Sequence, residues 1–198
     1  MNANLQRVIV LSLLILLMAA TRSHVFSHFT PVPDASWAVF FIGGFYLRNW
    51  SRWAFPLLMV LAVAIDYAVI TNQGMSFWSH YCVSPGYWFL VPAHLAMWVG
   101  GFWLRRNYSG ASVASLARLA FSFVAATALC HLLAQGGFYW LSNSVAEPTF
   151  AGWAKNYGDW FAPYLQGTAM FVTLAALAQV VGEQISRHAH PFARRMKH

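Results

Sequence analysis

Six apolar runs divide the chain, at about residues 5–21, 37–51, 53–71, 87–104, 113–141 and 159–182. Three turn-rich loops, 21–36, 71–86 and 142–158, alternate along the chain with shorter, basic connections. A membrane-spanning helix needs roughly 20 apolar residues, so each run predicts one span. The second run is short and must extend toward Trp50 or tilt. Pro31 and Pro33 keep the first loop out of helix. Gly43-Gly44, Gly100-Gly101 and the small-residue stripe Ser122, Ala126, Cys130, Ala134 predict close helix–helix approach. The pattern predicts an all-α integral membrane protein: a single six-helix transmembrane domain and a basic tail over 183–198. The first run also has the form of a signal peptide, ending in Ala19 and Ala20. The five later runs and the charge pattern favour counting it as a span.

Composition supports the pattern. Of the 198 residues, 59% are hydrophobic and 9% charged, against about 25% charged in a soluble domain. Too little polar surface remains to coat a globule, and no linker, repeat or soluble domain is visible. Two cysteines are too few for a disulfide framework.

Charge orients the spans. With the N-terminus and C-terminus both cytoplasmic, the inner segments hold Arg7, Arg48, Arg52, Arg105, Arg106, Arg118, Arg187, Arg194, Arg195 and Lys197. The outer loops hold only Arg22 and Lys155, so the count is ten against two. The same residues account for the basic pI by facing anionic lipid, and no basic face is left for a nucleic acid. Most tryptophans fall near run ends, as interfacial anchors do; Trp98 is an exception.

This topology gathers the chemistry on the outer side. The long loops and their borders carry His24, His28, Asp34, His80, Tyr81, Cys82, Tyr87, Glu147, Tyr157 and Asp159. Asp66 lies roughly 6 Å below the outer end of its run, and His94 and His131 roughly 10–15 Å below theirs. The polar groups inside the membrane therefore occupy its outer half, which predicts an outward-facing pocket above an apolar plug rather than a channel. Plainer readings exist for each group. Asp66 is near enough to the interface to be solvated, and His94 and His131 would be satisfied by backbone carbonyls. Cys130 lies on the packing stripe, and the histidines of the tail, His188, His190 and His198, read as a solvated end.

Cys82 differs. It lies off any helix stripe, beside His80 and Tyr81 and before Pro85-Gly86. A lone loop thiol on the oxidising side of a membrane is a liability unless it is used. Thiolate and imidazole suit soft or borderline metals, yet there is no HxxxH or CxxC. A metal already held in a macrocycle needs only one or two protein ligands, and aromatic residues suit its rim. Haem, ligated by His94 and His131, and a corrinoid, ligated from the outer loop by Cys82, both remain open on these residues.

Several stretches resemble a known family. They are Ser27-His28-Phe29-Thr30-Pro31-Val32, the glycine-bearing run Phe40-Phe41-Ile42-Gly43-Gly44-Phe45-Tyr46-Leu47-Arg48, and the cysteine between the third and fourth runs. Together with length and six runs, they resemble the S-components of energy-coupling-factor (ECF) transporters, and more closely the solitary BtuM-like branch that takes up cobalamin. The resemblance implies an S-component fold in a bacterial cytoplasmic membrane, with the substrate under the outer loops. It implies that Cys82 binds the cobalt of cobalamin (vitamin B12) axially, displacing the vitamin's own base. It places His28, Asp66 and Tyr87 among the pocket contacts, with His80, Tyr81, His94 and His131 nearby. A thiolate on Co(III) labilises the opposite ligand, so Cys82 is also expected to promote decyanation of cyanocobalamin, with His80 favouring its deprotonation. Family members that dock on a shared coupling protein show Ala-x-x-x-Ala on the first helix. Residues 8–20 here lack it, which argues against docking on a shared coupling protein and fits a solitary member; an ECF energising module stays open as a partner beside action alone.

Overall fold

Backbone amides in hydrocarbon have no water to bond, so long apolar segments close their hydrogen bonds locally as helix. The computed structural model describes residues 2–23 and 32–189, and six α-helices carry most of them. They are α1 (Ala3–Arg22), α2 (Ser36–Tyr46), α3 (Ser51–Asn72), α4 (Leu90–Asn107), α5 (Val113–Leu141) and α6 (Phe150–Ala189). No strand occurs among the described residues. Four segments are long and apolar enough to cross a membrane: Ala3–Arg22, Arg48–Asn72, Val113–Leu141 and Phe150–His188. The chain is thus an all-α, multi-pass membrane protein. Leu5, Leu13 and Leu16 of α1 are more than half exposed, whereas Leu14, Met18 and Thr21 are buried. A helix whose exposed face is leucine suits a hydrocarbon solvent.

The second run departs from the expected span. α2 has 11 residues, about 16 Å at 1.5 Å per residue, against a hydrocarbon core of about 30 Å. It stops at Tyr46, and a 3-10 turn, Arg48–Trp50, leads into α3. Ser36, Trp37, Ala38, Val39, Phe40, Phe41, Gly43, Gly44 and Phe45 are all buried, so α2 packs on protein rather than lipid. It begins where Asp34 Oδ1 accepts the Ser36 backbone N–H at 2.9 Å, a free helical donor met by a carboxylate.

The fourth and sixth runs also shift. Residues 85–89 form a 3-10 turn, so α4 begins at Leu90 and Tyr87 belongs to the preceding loop. Half of the loop expected over 142–158 is helix. α6 starts at Phe150 because Thr149 Oγ1 accepts the Gly152 N–H at 3.1 Å, an N-cap bond. α6 then continues seven residues past the expected end at 182, to Ala189.

The glycine pairs do what their placement predicts. A Cβ at Gly44 would collide with the Trp98 carbonyl oxygen, and one at Gly101 with the Phe41 carbonyl oxygen. α2 and α4 therefore meet backbone to backbone, the close approach that small residues permit. Gly100 faces Ala126 and Ser122 of α5, which confirms the stripe on that helix. Phe40, Leu58, Met97 and Cys130 fill the centre, each fully buried.

Candidate functional site

The connection between α3 and α4 folds on itself. Gly74, at φ +75°, ends α3 in the left-handed region that favours glycine. Phe77–Ser79 forms a 3-10 turn, and the Val83 N–H closes a further turn on the His80 carbonyl at 2.8 Å. Ile70, Phe77 and Tyr87 pack into a small cluster of their own, with Val63, Val83 and Leu90 against it. Cys82, next to Val83, is held on this cluster half-buried and free of any disulfide.

His80 and Tyr81, adjacent to the thiol in sequence, stay beside it in space. His80 Nδ1 accepts the Cys82 backbone N–H at 3.3 Å, so that nitrogen serves the turn rather than carrying a proton toward sulfur. The His80 and Tyr81 rings lie 4.6 Å apart. Hydrogen bonding to the Cys82 side chain holds the Tyr81 phenol above its ordinary pKa. Trp78 is 74% exposed, Tyr81 68% and Trp88 52%, so the connection that carries the thiol also carries three large, exposed aromatic side chains.

Below this loop lies an ion-pair cluster that joins four segments. The Arg22 guanidinium grips Asp66 with two parallel bonds, Nε to Oδ1 and Nη2 to Oδ2, each 2.7 Å. Its Nη1 donates to Asp34 Oδ2 at 3.1 Å and to Ser36 Oγ at 3.0 Å. The Tyr87 hydroxyl donates to Asp66 Oδ2 at 2.6 Å. Asp66 is thus neither solvated nor free. Both of its oxygens are engaged, and its first role is to pin α1 and the loop to α3. Tyr87 is the joint, with its ring in the loop's apolar cluster and its hydroxyl on the carboxylate.

The two buried histidines, His94 and His131, occupy separate environments. His94 is 1% exposed; its Nδ1 lies 2.7 Å from the Leu90 carbonyl and its ring centroid 4.4 Å from that of Phe40. Nε2 has no hydrogen-bond partner among the described residues. His131 lies in a cage of Trp37, Tyr157, Phe161 and Tyr164. Its Nε2 donates to the Tyr157 carbonyl at 3.1 Å, which leaves only Nδ1 to meet a metal. His24 and His28 lie outside the described residues, as do His190 and His198.

The cavities fall elsewhere than expected. Beside Arg22, Tyr87 and His94 there is a space of about 10 Å³, room for one water by the usual threshold of roughly 10–15 Å³. The larger cavity, about 360 Å³, lies among α2, α5 and α6 between Phe41, Tyr46, Leu119 and Gln179. That is the end of the bundle opposite Cys82. No protein-family model matches this chain, and no curated protein matches it either.

Sequence reasoning missed two things. Arg22 was placed only as a loop charge, although a lone arginine at the end of one run and a lone aspartate within another were a signal for pairing. A second polar network, at the opposite end, left a weaker signal. There Tyr46 donates to Gln179 at 2.8 Å, Gln179 to Glu183 at 2.8 Å, and Tyr108 to Glu183 at 2.5 Å. Glu183 was assigned to the tail; helix α6 instead carries it back against the α4–α5 connection, where it also accepts the Ala111 N–H at 3.1 Å.

Proposed function

We propose that this chain takes up cobalamin across a bacterial cytoplasmic membrane. In this reading six segments cross the membrane, the short α2 completing its crossing through the Arg48–Trp50 turn, both termini lie inside, and Cys82 is the axial ligand to cobalt. One observation carries the reading: a free, half-buried thiol stands on a compact loop that also carries the exposed side chains of Trp78, Tyr81 and Trp88. A thiolate supplies the soft donor that a macrocycle-bound metal lacks. The aromatic faces supply a flat apolar rim for a flat ligand. The cavity beside His94 is far too small for a corrin ring, so the vitamin seats above the Arg22–Asp66–Tyr87 cluster, over the loop, with His28 as a further contact. Leu5, Leu13 and Leu16 on the free face of α1 leave no small-residue seam for a coupling protein, which supports action without an energising module.

Decyanation follows from the same bond. Cys82 sulfur donates an electron pair to Co(III) and displaces the lower base. One electron from a small-molecule thiolate then reduces Co(III) to Co(II), cyanide leaves with its bonding pair, and the thiyl radicals of two turnovers pair as a disulfide. The haem alternative, through His94 and His131, is disfavoured because the His131 Nε2 is committed to a backbone carbonyl.

The test is an absorbance spectrum of purified protein with cyanocobalamin. Wild type should shift the corrin bands and, with added thiol, release cyanide. Cys82→Ser should do neither, while His28→Ala should weaken capture yet still ligate. An unshifted wild-type spectrum, or a Soret band on purification that disappears in His94→Ala, would overturn the proposal.

A further inference from the structure

His94 is a buried group with half of its hydrogen bonding unaccounted for. The Leu90 carbonyl can only accept, so Nδ1 at 2.7 Å carries the ring proton. The neutral ring then presents a bare lone pair at Nε2, 1% exposed and without a partner among the described residues. A buried polar atom left in this state is costly. An imidazolium there would be costlier still, with its second N–H also unmatched.

The adjoining space supplies the missing partners. His94, Arg22 and Tyr87 line the same cavity, with Met59, Ala62 and the exposed side chains of Trp88 and Val91 around the rest of it, and its volume of about 10 Å³ accommodates one water. Arg22 has five N–H groups. Four are engaged: Nε and one Nη2 hydrogen on Asp66, and the two Nη1 hydrogens on Asp34 and Ser36. One Nη2 hydrogen remains. The Tyr87 hydroxyl has given its hydrogen to Asp66 and keeps lone pairs that accept.

We propose that this cavity is a binding site for a single ordered water that accepts from Arg22 Nη2 and donates to His94 Nε2 and to the Tyr87 oxygen. Three bonds are the usual complement of a buried water. The site completes a polar chain from Asp34 through Arg22, Asp66 and Tyr87 to the middle of the bundle. It also gives α4 its link to that chain, since α1, α2 and α3 are joined by direct side-chain bonds and α4 has only His94 to offer. The inference does not depend on cobalamin: it uses no bond to Cys82, and of the loop aromatics Trp88 only lines the cavity without bonding the water.

Two measurements on the unaltered full-length chain test it. Nitrogen-15 NMR of histidine-labelled protein in lipid nanodiscs should show His94 neutral, protonated at Nδ1, with magnetisation transfer from a slowly exchanging water to its ring. A structure that resolves ordered solvent should show one density peak about 3 Å from Nε2. An Nε2-protonated or doubly protonated ring, or a resolved cavity without that peak, would overturn the site.

Discussion

Arg22 and Asp66, 44 positions apart, meet in a two-bond fork with both N···O distances at 2.7 Å. Their side chains are 13% and 18% exposed, so the pair is largely out of water. Arg22 also serves Asp34 at 3.1 Å, which makes the two members unequal. Removing the arginine leaves two carboxylates facing one another without a cation. Removing the aspartate leaves the arginine still paired. Arg22→Met should therefore cost about 3–5 kcal/mol of stability, the range for an orphaned buried charge. Asp66→Asn should cost less, about 1–3 kcal/mol, since an amide keeps part of the bonding. Unfolding of each variant in mixed micelles gives the order, and equal losses would mean Asp34 does not share the cation.

The contact of Gly44 and Gly101 with carbonyl oxygens on the facing helix gives a second expectation. Gly44→Ala or Gly101→Ala must push α2 from α4, an overpacking penalty of about 1–3 kcal/mol. Gly182 is also helical, but nothing lies within 4 Å of where its Cβ would be. Gly182→Ala should stabilise the chain by about 0.5–1 kcal/mol through helix propensity alone. Thermal melts of the three variants separate the effects, and a loss at Gly182 matching those at Gly44 and Gly101 would remove the packing explanation.

Hydropathy alone placed the helices whose partner is lipid. The run at 113–141 coincides with α5, and those at 5–21 and 53–71 lie within two residues of α1 and α3. Their apolar character is nearly continuous because most of each surface meets lipid or apolar side chains, with Arg22, Asp66 and His131 as the exceptions. Glycine pairs were legible for a related reason: nothing but close approach explains Gly43-Gly44 opposite Gly100-Gly101. Boundaries set by a single polar bond were not legible, as with Thr149 starting α6 inside an expected loop. Hydropathy carries no information about which distant polar groups meet, so the Arg22–Asp66 pairing was legible only from the rarity of the two charges, and the Glu183 network less so. Cys82, His80 and Tyr81 were adjacent by sequence, so their clustering needed no fold. The separation of His94 from His131 did.

At the end opposite Cys82, Tyr108 offers a pH test. Partial burial, then its hydrogen bond to Glu183, pushes the phenol up to about 12 from an ordinary 10. A raised pKa means the protonated phenol is the form favoured by folding. Its stabilising contribution is complete below pH 10 and is lost as pH rises through about 12. Stability of the wild type should fall across that window. Tyr108→Phe has no such proton to lose, so it should be less stable at pH 8 and show a shallower alkaline decline. Parallel slopes in the two proteins would mean that another group controls the alkaline limb.

Cys82 and Cys130 make an internal pair of probes for orientation. Cys130 is fully buried and should resist any maleimide until the bundle unfolds, so labelling of the folded chain reports Cys82 alone. With the α3–α4 loop outside, a membrane-impermeant maleimide added to intact spheroplasts should modify one cysteine per chain, and Cys82→Ser should abolish the signal. Cobalamin added first should slow the reaction, because a sulfur bonded to cobalt no longer has its nucleophilic pair available. The three outcomes separate cleanly. Labelling only after lysis would invert the topology and with it the outward site. Labelling from outside that cobalamin leaves unchanged would keep the topology and remove the metal ligand. Protection in wild type that persists in His28→Ala would leave the sulfur as the group that holds the vitamin.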